Sequence, residues 1–400
     1  MGSYKTTTAI DMMNRADETN KYIYITPYLE EIQRIREKCT RRKFYEPKVF
    51  SQDGETNFKL DSLHKLLSEG KDIATTHALF KMATEDTREL IYNEGYTLIL
   101  DEALEVIREV NVSPDDIKML LKEWMHEENG FIIWDTDKES KQGKYSGKFQ
   151  TVRRFALNKN LVIHQGRILM WNFPPDIFNL FKESYILTYL FSSQLQKYYF
   201  DLHDIKYEYY KVDFDNWGNL TFKEKGDYSD REVKQKLKQC INIYDGTLNK
   251  IGDDKYSLSK TWYESKTHLH KQLKNNMMNY FNNIMKTKSI ENMWGTFKEY
   301  KGKVNGKGYT KGHVSITARS TNEFQHKRVL AYSVNRFLNP ILDSYFSSKG
   351  IKVNQELFAL SELIQWVWRS AIRNGEEISI YIPSSRMRGL MIDWLDDKIE

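Results

Sequence analysis

The chain has 400 residues, enough for two ordinary domains, and its 40% hydrophobic share with 9 Trp, 25 Tyr and 20 Phe excludes a disordered chain. Sixty basic against 55 acidic side chains leave a net charge of only +5, which excludes a polybasic tail protein and leaves room for a local basic groove. Cys39 and Cys240 match no metal-ligand spacing, no stretch approaches the roughly 18 apolar residues of a membrane span, and the N-terminus has no apolar secretory core, so a soluble protein of the reducing cytoplasm is expected.

The chain opens Gly2-Ser3-Tyr4-Lys5-Thr6-Thr7-Thr8 and runs into a helical pattern. A phosphate-binding loop needs small residues whose backbone N–H groups wrap the phosphates, a Lys for the terminal phosphates and a hydroxyl for Mg²⁺. Gly2, Ser3, Lys5 and Thr6 suit those tasks; Tyr4 stands where such a loop has glycine. An unstructured terminus with a chance Lys-Thr pair is the plain alternative. Lys21-Tyr-Ile-Tyr-Ile-Thr26-Pro27 reads as a strand leading into an amphipathic helix with Ile32 and Ile35 on one face. Asp72-Ile-Ala-Thr75-Thr76-His77 repeats the theme of strand, hydroxyl-bearing end and helix.

Tyr96-Thr-Leu-Ile-Leu-Asp101-Glu102 is the stretch around which the rest is organised. Its uninterrupted apolar run predicts a strand buried on both faces, ending in two adjacent carboxylates. Two acids at the end of a buried strand are costly unless a metal or polar cleft receives them. Asp101 is then a candidate for holding Mg²⁺ and Glu102 for polarising an attacking water. The plain alternative is a turn whose acids cap the next helix. Strands alternating with helices to this point predict a parallel α/β sheet with functional residues at the strands' carboxyl ends.

From about 111 to 180 the pattern changes: Ser113-Pro114-Asp115-Asp116 predicts a capped helix start, the stretch after it turns β-rich with a hairpin expected at Gln165-Gly166, and the whole reads as an inserted subdomain. Ser184 to Phe191 predicts another buried strand with Thr188 near its end. The domain changes near 203, and a strand is expected over Ile205 to Val212. Residues 216–262 read as a loop-rich insertion, His268 to Met285 as helical, and Gly302 to Gly312 as a flexible basic loop. Val314-Ser-Ile-Thr317 predicts a strand, then the polar turn Ala318-Arg319-Ser320-Thr321-Asn322 and a helix carrying Arg328 and Arg336. Leu360 to Arg373 predicts a helix on which Gln365, Arg369 and Arg373 form one stripe, closed by Asn374-Gly375 before a strand from Ile378.

In this order the stretches resemble the superfamily 2 helicases and translocases of the DEAD/DEAH-box type, in the divergent form often encoded by bacteriophages. The Gly2–Thr6 stretch looks like the tail of the nucleotide-binding loop, and Asp101-Glu102-Ala103 like the DEAD/DEAH signature. Thr26-Pro27 and Thr75-Thr76-His77 look like strand-contact motifs, and Leu187-Thr188-Tyr189 like the coupling motif. Arg319, Thr321 and Asn322 resemble the second domain's nucleic-acid motif, and Gln365 to Arg373 the arginine-finger helix. The resemblance implies two RecA-like domains, 1–203 with the insertion and 204–400, with ATP and Mg²⁺ between them and single-stranded nucleic acid, DNA favoured, across their tops. It implies a helicase or translocase serving phage replication or recombination in a bacterial host's cytoplasm. A helicase-like module that binds nucleic acid or protein with impaired hydrolysis stays open. A packaging ATPase would want a nuclease domain with clustered acids, and the sequence has none.

Overall fold

A computed structural model describes residues 4–52, 55–226, 229–317 and 323–399. The described residues divide into two compact units: residues 4–225 together with Asn339–Val353, and Gly226–Leu338 together with the chain from Asn354.

In the first unit, β1 (Tyr22–Thr26) is buried throughout, and a hairpin of β2 (Phe50–Gln52) and β3 (Glu55–Asn57) follows. Then come β4 (Ile73–Thr76) and β5 (Thr97–Asp101), the second again buried at every position. The next strands are β6 (Ile107–Glu109), β7 (Met125–Glu128), β8 (Phe131–Trp134), β9 (Leu161–His164), β10 (Ile168–Asn172) and β11 (Glu183–Leu187). The principal sheet runs β11-β5-β1-β4, all parallel. Its apolar strands pair in register, Ile23 with Leu98 and Leu187 with Asp101, so their carboxyl ends lie level. The helices Lys5–Arg15 and Leu29–Lys38 cover one face, burying Ala9, Ile10, Met13, Ile32 and Ile35 beside Tyr24 and Ile99. Apolar burial of this kind stabilises by roughly 25 cal/mol per Å².

The inserted subdomain spans β6 to β10, somewhat earlier than 111–180, because Ile107–Glu109 pairs antiparallel with β10. The β9–β10 hairpin turns at Gln165-Gly166 as expected. The helix expected from Ser113 forms as Pro114–Glu123, with the Ser113 hydroxyl capping it; the helices Thr136–Gln142 and Gln150–Leu157 also lie within the subdomain, and Trp124 stacks on Trp134 at 5.7 Å.

The domain boundary also differs from 203. The hairpin of β12 (Tyr210–Phe214) and β13 (Leu220–Glu224) belongs to the first unit. Phe222 stacks on Tyr185 with ring centres 5.7 Å apart, and Arg15 Nη2 donates to the Leu220 carbonyl at 2.7 Å. The helix Pro340–Ser348 returns to the same unit, setting Tyr345 edge-on to His164 at 5.6 Å and Phe346 against Tyr198 at 6.4 Å. Burial of these rings, invisible at such sequence separation, fixes the boundary.

The second unit is built on β14 (Ile241–Ile243), β15 (Asn292–Gly295), β16 (Val329–Tyr332) and β17 (Ile378–Tyr381), in the order β14-β17-β16-β15, all parallel. The loop-rich reading of 216–262 is corrected by β13, the helix Arg231–Cys240 and β14, which all fall within it. No strand forms over Val314 to Thr317; Val314 N donates to the Trp294 carbonyl at 2.9 Å and a turn follows. Where a helix with Arg328 and Arg336 was expected stands β16, because Val329-Leu-Ala-Tyr is buried at every position. Gly302 to Gly312 is packed rather than free: Tyr309 is wholly buried, and a Cβ on Gly312 would lie 2.1 Å from the Asn292 carbonyl oxygen. The helix His270–Asn279 and the final strand from Ile378 agree with the sequence reading.

Candidate functional site

The helix Lys5–Arg15 starts directly after Tyr4, whose backbone is left-handed at φ 54, ψ 17. The first intrahelical bond runs from Thr8 N to the Tyr4 carbonyl at 2.8 Å, so the amides of Lys5, Thr6 and Thr7 head the helix, and its first turn carries no acid. A helix start of this composition presents N–H donors and positive potential to an anion.

Beside it, β5 delivers Asp101. Its Oδ1 accepts from Thr6 Oγ1 and its Oδ2 from Thr26 Oγ1, both at 3.5 Å. Its carbonyl lies 2.9 Å from His77 Nε2, and since a carbonyl only accepts, His77 carries its proton on that nitrogen. Burial, then the neighbouring Glu102 and Glu31, push the Asp101 carboxyl up to about 7. The Tyr24 hydroxyl favours its ionised form, though without closing a hydrogen bond of good geometry. Lys5 feels the opposite balance: burial pulls its pKa down, and Glu102 and Asp101 oppose that pull.

Glu102 bends the chain through a left-handed conformation at φ 63. Its amide donates to the Leu187 carbonyl at 3.2 Å, and Thr188 Oγ1 donates to its Oε2 at 3.4 Å, tying the acid pair to the end of β11. A step further on, Leu104 N donates to the buried Gln196 Oε1 at 2.9 Å.

The structure therefore brings together Lys5, Thr6, Thr26, His77, Asp101, Glu102 and Thr188, carried by the ends of four parallel strands and one helix start. Thr75 is buried in β4. Thr76 uses its hydroxyl to cap the short helix His77–Phe80, accepting from Leu79 N at 3.2 Å. Pro27 is half-buried at the turn into the next helix. Gly2, Ser3, Arg319, Thr321 and Asn322 lie outside the described residues. Tyr24, Glu31 and Gln196 were not singled out from sequence. For Tyr24 the signal exists: it stands two residues before Thr26 on a strand, hence on the same face.

In the second unit the arginine stripe is corrected. The helix spans Gln355–Val367 and stops before Arg369. Ser370 takes an extended conformation with its hydroxyl donating to the Val367 carbonyl at 2.7 Å, and Ala371 N donates to the Lys327 carbonyl at 2.9 Å. Arg373 then sits in a short 3₁₀ helix, Ala371–Asn374, which Gly375 ends in a left-handed conformation. Gln365, Arg369 and Arg373 thus share no helix face. Arg369 is 5% exposed, whereas Arg373 lies at the surface.

Among the described residues, no group of three or more His, Cys, Asp or Glu is arranged to hold a metal by themselves. Cys39 and Cys240 are free thiols. No helix of the described residues is long and apolar enough to cross a membrane.

Fold and site define an α/β protein of two parallel four-stranded sheets whose polar side chains gather at strand carboxyl ends. Residues 107–171 match the YonV middle domain, and residues 235–395 the YonV C-terminal Rossmann-like domain. The chain is 54% identical over its whole length to the SPbeta prophage-derived protein YonV of Bacillus subtilis (strain 168), covering 97% of that protein, and it belongs to the YonV family. Among solved structures it is similar to Xpd4 of S. tokodaii, with 11% identity, a TM-score of 0.47, and coverage of 100% of this chain and 92% of that one.

Proposed function

We propose that the chain is an ATP-dependent helicase or translocase acting on single-stranded nucleic acid, DNA favoured, in phage replication or recombination within a bacterial cytoplasm. One observation carries the reading: Lys5, Thr6, Asp101, Glu102 and Thr188, distant in sequence, meet at a helix start and two adjacent strand ends. Phosphoryl transfer asks little covalent chemistry of a protein and much positioning and charge stabilisation. The amides of Lys5, Thr6 and Thr7 and the Lys5 ammonium bind the phosphates.

Asp101 and Thr6 are the residues that would hold Mg²⁺, and they suit it: a carboxyl raised to about 7 by burial, and then by its acidic neighbours, gains from added positive charge. Bound there, the ion would neutralise phosphate charge. Glu102, held by Thr188, orients the attacking water, and the hydrogen bond between them supports Thr188 in the coupling role. Pro27 and Thr76, half-buried at neighbouring strand ends, are the residues of that edge placed to contact nucleic acid, while Thr26, Thr75 and His77 are buried and support the edge from within. Arg319, Thr321 and Asn322 are the second unit's own candidates for such a contact.

The left-handed Tyr4 favours a second reading, a nucleotide-binding module with impaired hydrolysis, since a side chain occupies a conformation that glycine adopts freely. Phosphate release by wild type and Glu102→Gln, with and without single-stranded DNA, separates the two. A motor loses turnover in Glu102→Gln and keeps ATP binding. Hydrolysis unchanged in the variant would sink the motor reading, and wild type that binds ATP without turnover would establish the second.

A further inference from the structure

The segment Lys260–Lys311 holds eleven lysines and three glutamates in a chain whose net charge is only +5. Within it lies a cleft of about 700 Å³ lined by Lys271, Lys274, Lys303, Tyr300, Thr267 and Glu264, with Tyr263 and His270 behind. Lys271 and Lys274 stand at i and i+3 of the helix His270–Asn279 and so share a face, and Lys303 joins them from the short helix Lys301–Val304. Among the described residues no ion pair engages these three lysines, whereas Lys260 pairs with Glu299 at 3.9 Å.

The aromatic wall is anchored. Tyr263 donates its hydroxyl to the Ser333 carbonyl at 2.6 Å and accepts from Thr296 Oγ1 at 3.1 Å. Ser333 and Thr296 directly follow β16 and β15, so the cleft opens at the carboxyl end of the sheet, where α/β sheets take their ligands. Tyr300 stacks on Tyr263 with ring centres 4.9 Å apart at 26°, and remains half-buried, with His270 edge-on at 5.7 Å.

We infer that this cleft is a grip for single-stranded nucleic acid: the lysines meet successive phosphates and the Tyr300 ring receives a base. Three unpaired ammonium groups on one wall supply the sequence-independent attraction, and a π-face held by a second ring supplies a sequence-tolerant platform. A single glutamate, Glu264, opposes them. The inference rests on the proposed function for its class of partner and on nothing in the nucleotide chemistry.

The test is fluorescence anisotropy with a labelled homopolymeric oligodeoxynucleotide, on the full chain without ATP, across a salt series. The triple variant Lys271→Ala/Lys274→Ala/Lys303→Ala should bind at least about tenfold more weakly, and its log-affinity against log-salt slope should flatten by roughly 2, near 0.7 per lost phosphate contact. Tyr300→Ala should lose about tenfold with the slope unchanged, and Tyr300→Phe should restore binding. Circular dichroism and the Lys→Arg triple variant, which keeps the charge, separate lost contacts from lost folding. Wild-type affinity and slope in the Lys→Ala triple variant would overturn the cleft. Inorganic polyphosphate competing as well as the oligonucleotide, with Tyr300→Ala silent, would overturn base recognition. A chain that binds through this cleft without hydrolysing ATP would refute the motor and leave the grip standing.

Discussion

Replacing Tyr4 with glycine should stabilise the protein, against the usual direction for removing an aromatic side chain. Tyr4 holds φ 54 and ψ 17 at the start of the first helix, and its carbonyl accepts from both Thr8 N at 2.8 Å and Thr8 Oγ1 at 3.0 Å. A residue with a Cβ pays about 1–2 kcal/mol for that left-handed conformation. Glycine relieves it but brings a freer unfolded chain, which offsets about 0.5–1 kcal/mol. The ring is 67% exposed, so little packing is lost. The net expectation for Tyr4→Gly is a gain of about 0.5–1 kcal/mol. Tyr4→Val should be less stable than wild type, because a branched Cβ tolerates positive φ worst. Urea denaturation followed by circular dichroism, with m unchanged, reads both differences. Under the proposed function Tyr4→Gly also binds nucleotide at least as well as wild type. A glycine variant less stable than wild type by about 1 kcal/mol would refute the strain reasoning and assign Tyr4 a packing role.

Three further outcomes are expected. Lys5→Ala should weaken ATP affinity at matched Mg²⁺, measured by isothermal calorimetry; equal affinity would remove Lys5 from the site. Arg369→Ala should destabilise by about 2 kcal/mol or more in thermal unfolding, since its head is buried, whereas surface Arg373→Ala should stay within about 0.5 kcal/mol. Arg373→Ala is therefore the clean test of an arginine finger, with turnover falling about 10³-fold if it serves as one and unchanged if it does not. His313, pulled down to about 4 by burial and Lys301, stays neutral in the fold while the unfolded chain takes up its proton near 6.5. Its contribution is present above that pH and lost as pH falls from 6.5 toward 4, so denaturation at pH 7.5 and 4.5 should show a smaller drop for His313→Gln, and equal drops would exclude it.

Much of the first sheet was legible because parallel strands buried on both faces leave continuous apolar runs, as in Tyr22–Thr26 and Leu98–Leu100, and because polar residues at their ends stand out against them. β14 was not legible: three residues, Ile241–Ile243, carry too little pattern. β16 hid behind Lys327 and Arg328, since its apolar run is only four residues long. The arginine stripe failed for a local reason that periodicity does not register. Ser370 bonds back to the Val367 carbonyl and Ala371 N bonds to Lys327, so a hydroxyl and a tertiary contact end the helix two residues before the first arginine. The return of Pro340–Ser348 to the first unit rests on aromatic contacts across more than a hundred residues, which no window of sequence contains.

That contrast explains why the candidate site was readable where the arginine segment was not. A parallel sheet aligns the carboxyl ends of its strands whatever lies between them, so β1, β4, β5 and β11 deliver Thr26, His77, Asp101 and Thr188 to one edge by register alone. The register pairs Leu187 with Asp101, which sets Thr188 opposite Glu102, and the 3.4 Å bond between them is that pairing continued one residue beyond the strands. The two arginines owe their positions to a turn and a 3₁₀ helix, whose geometry depends on what packs beneath them. Sequence patterns of strands carry site geometry forward; patterns of single helices carry it only as far as the helix lasts.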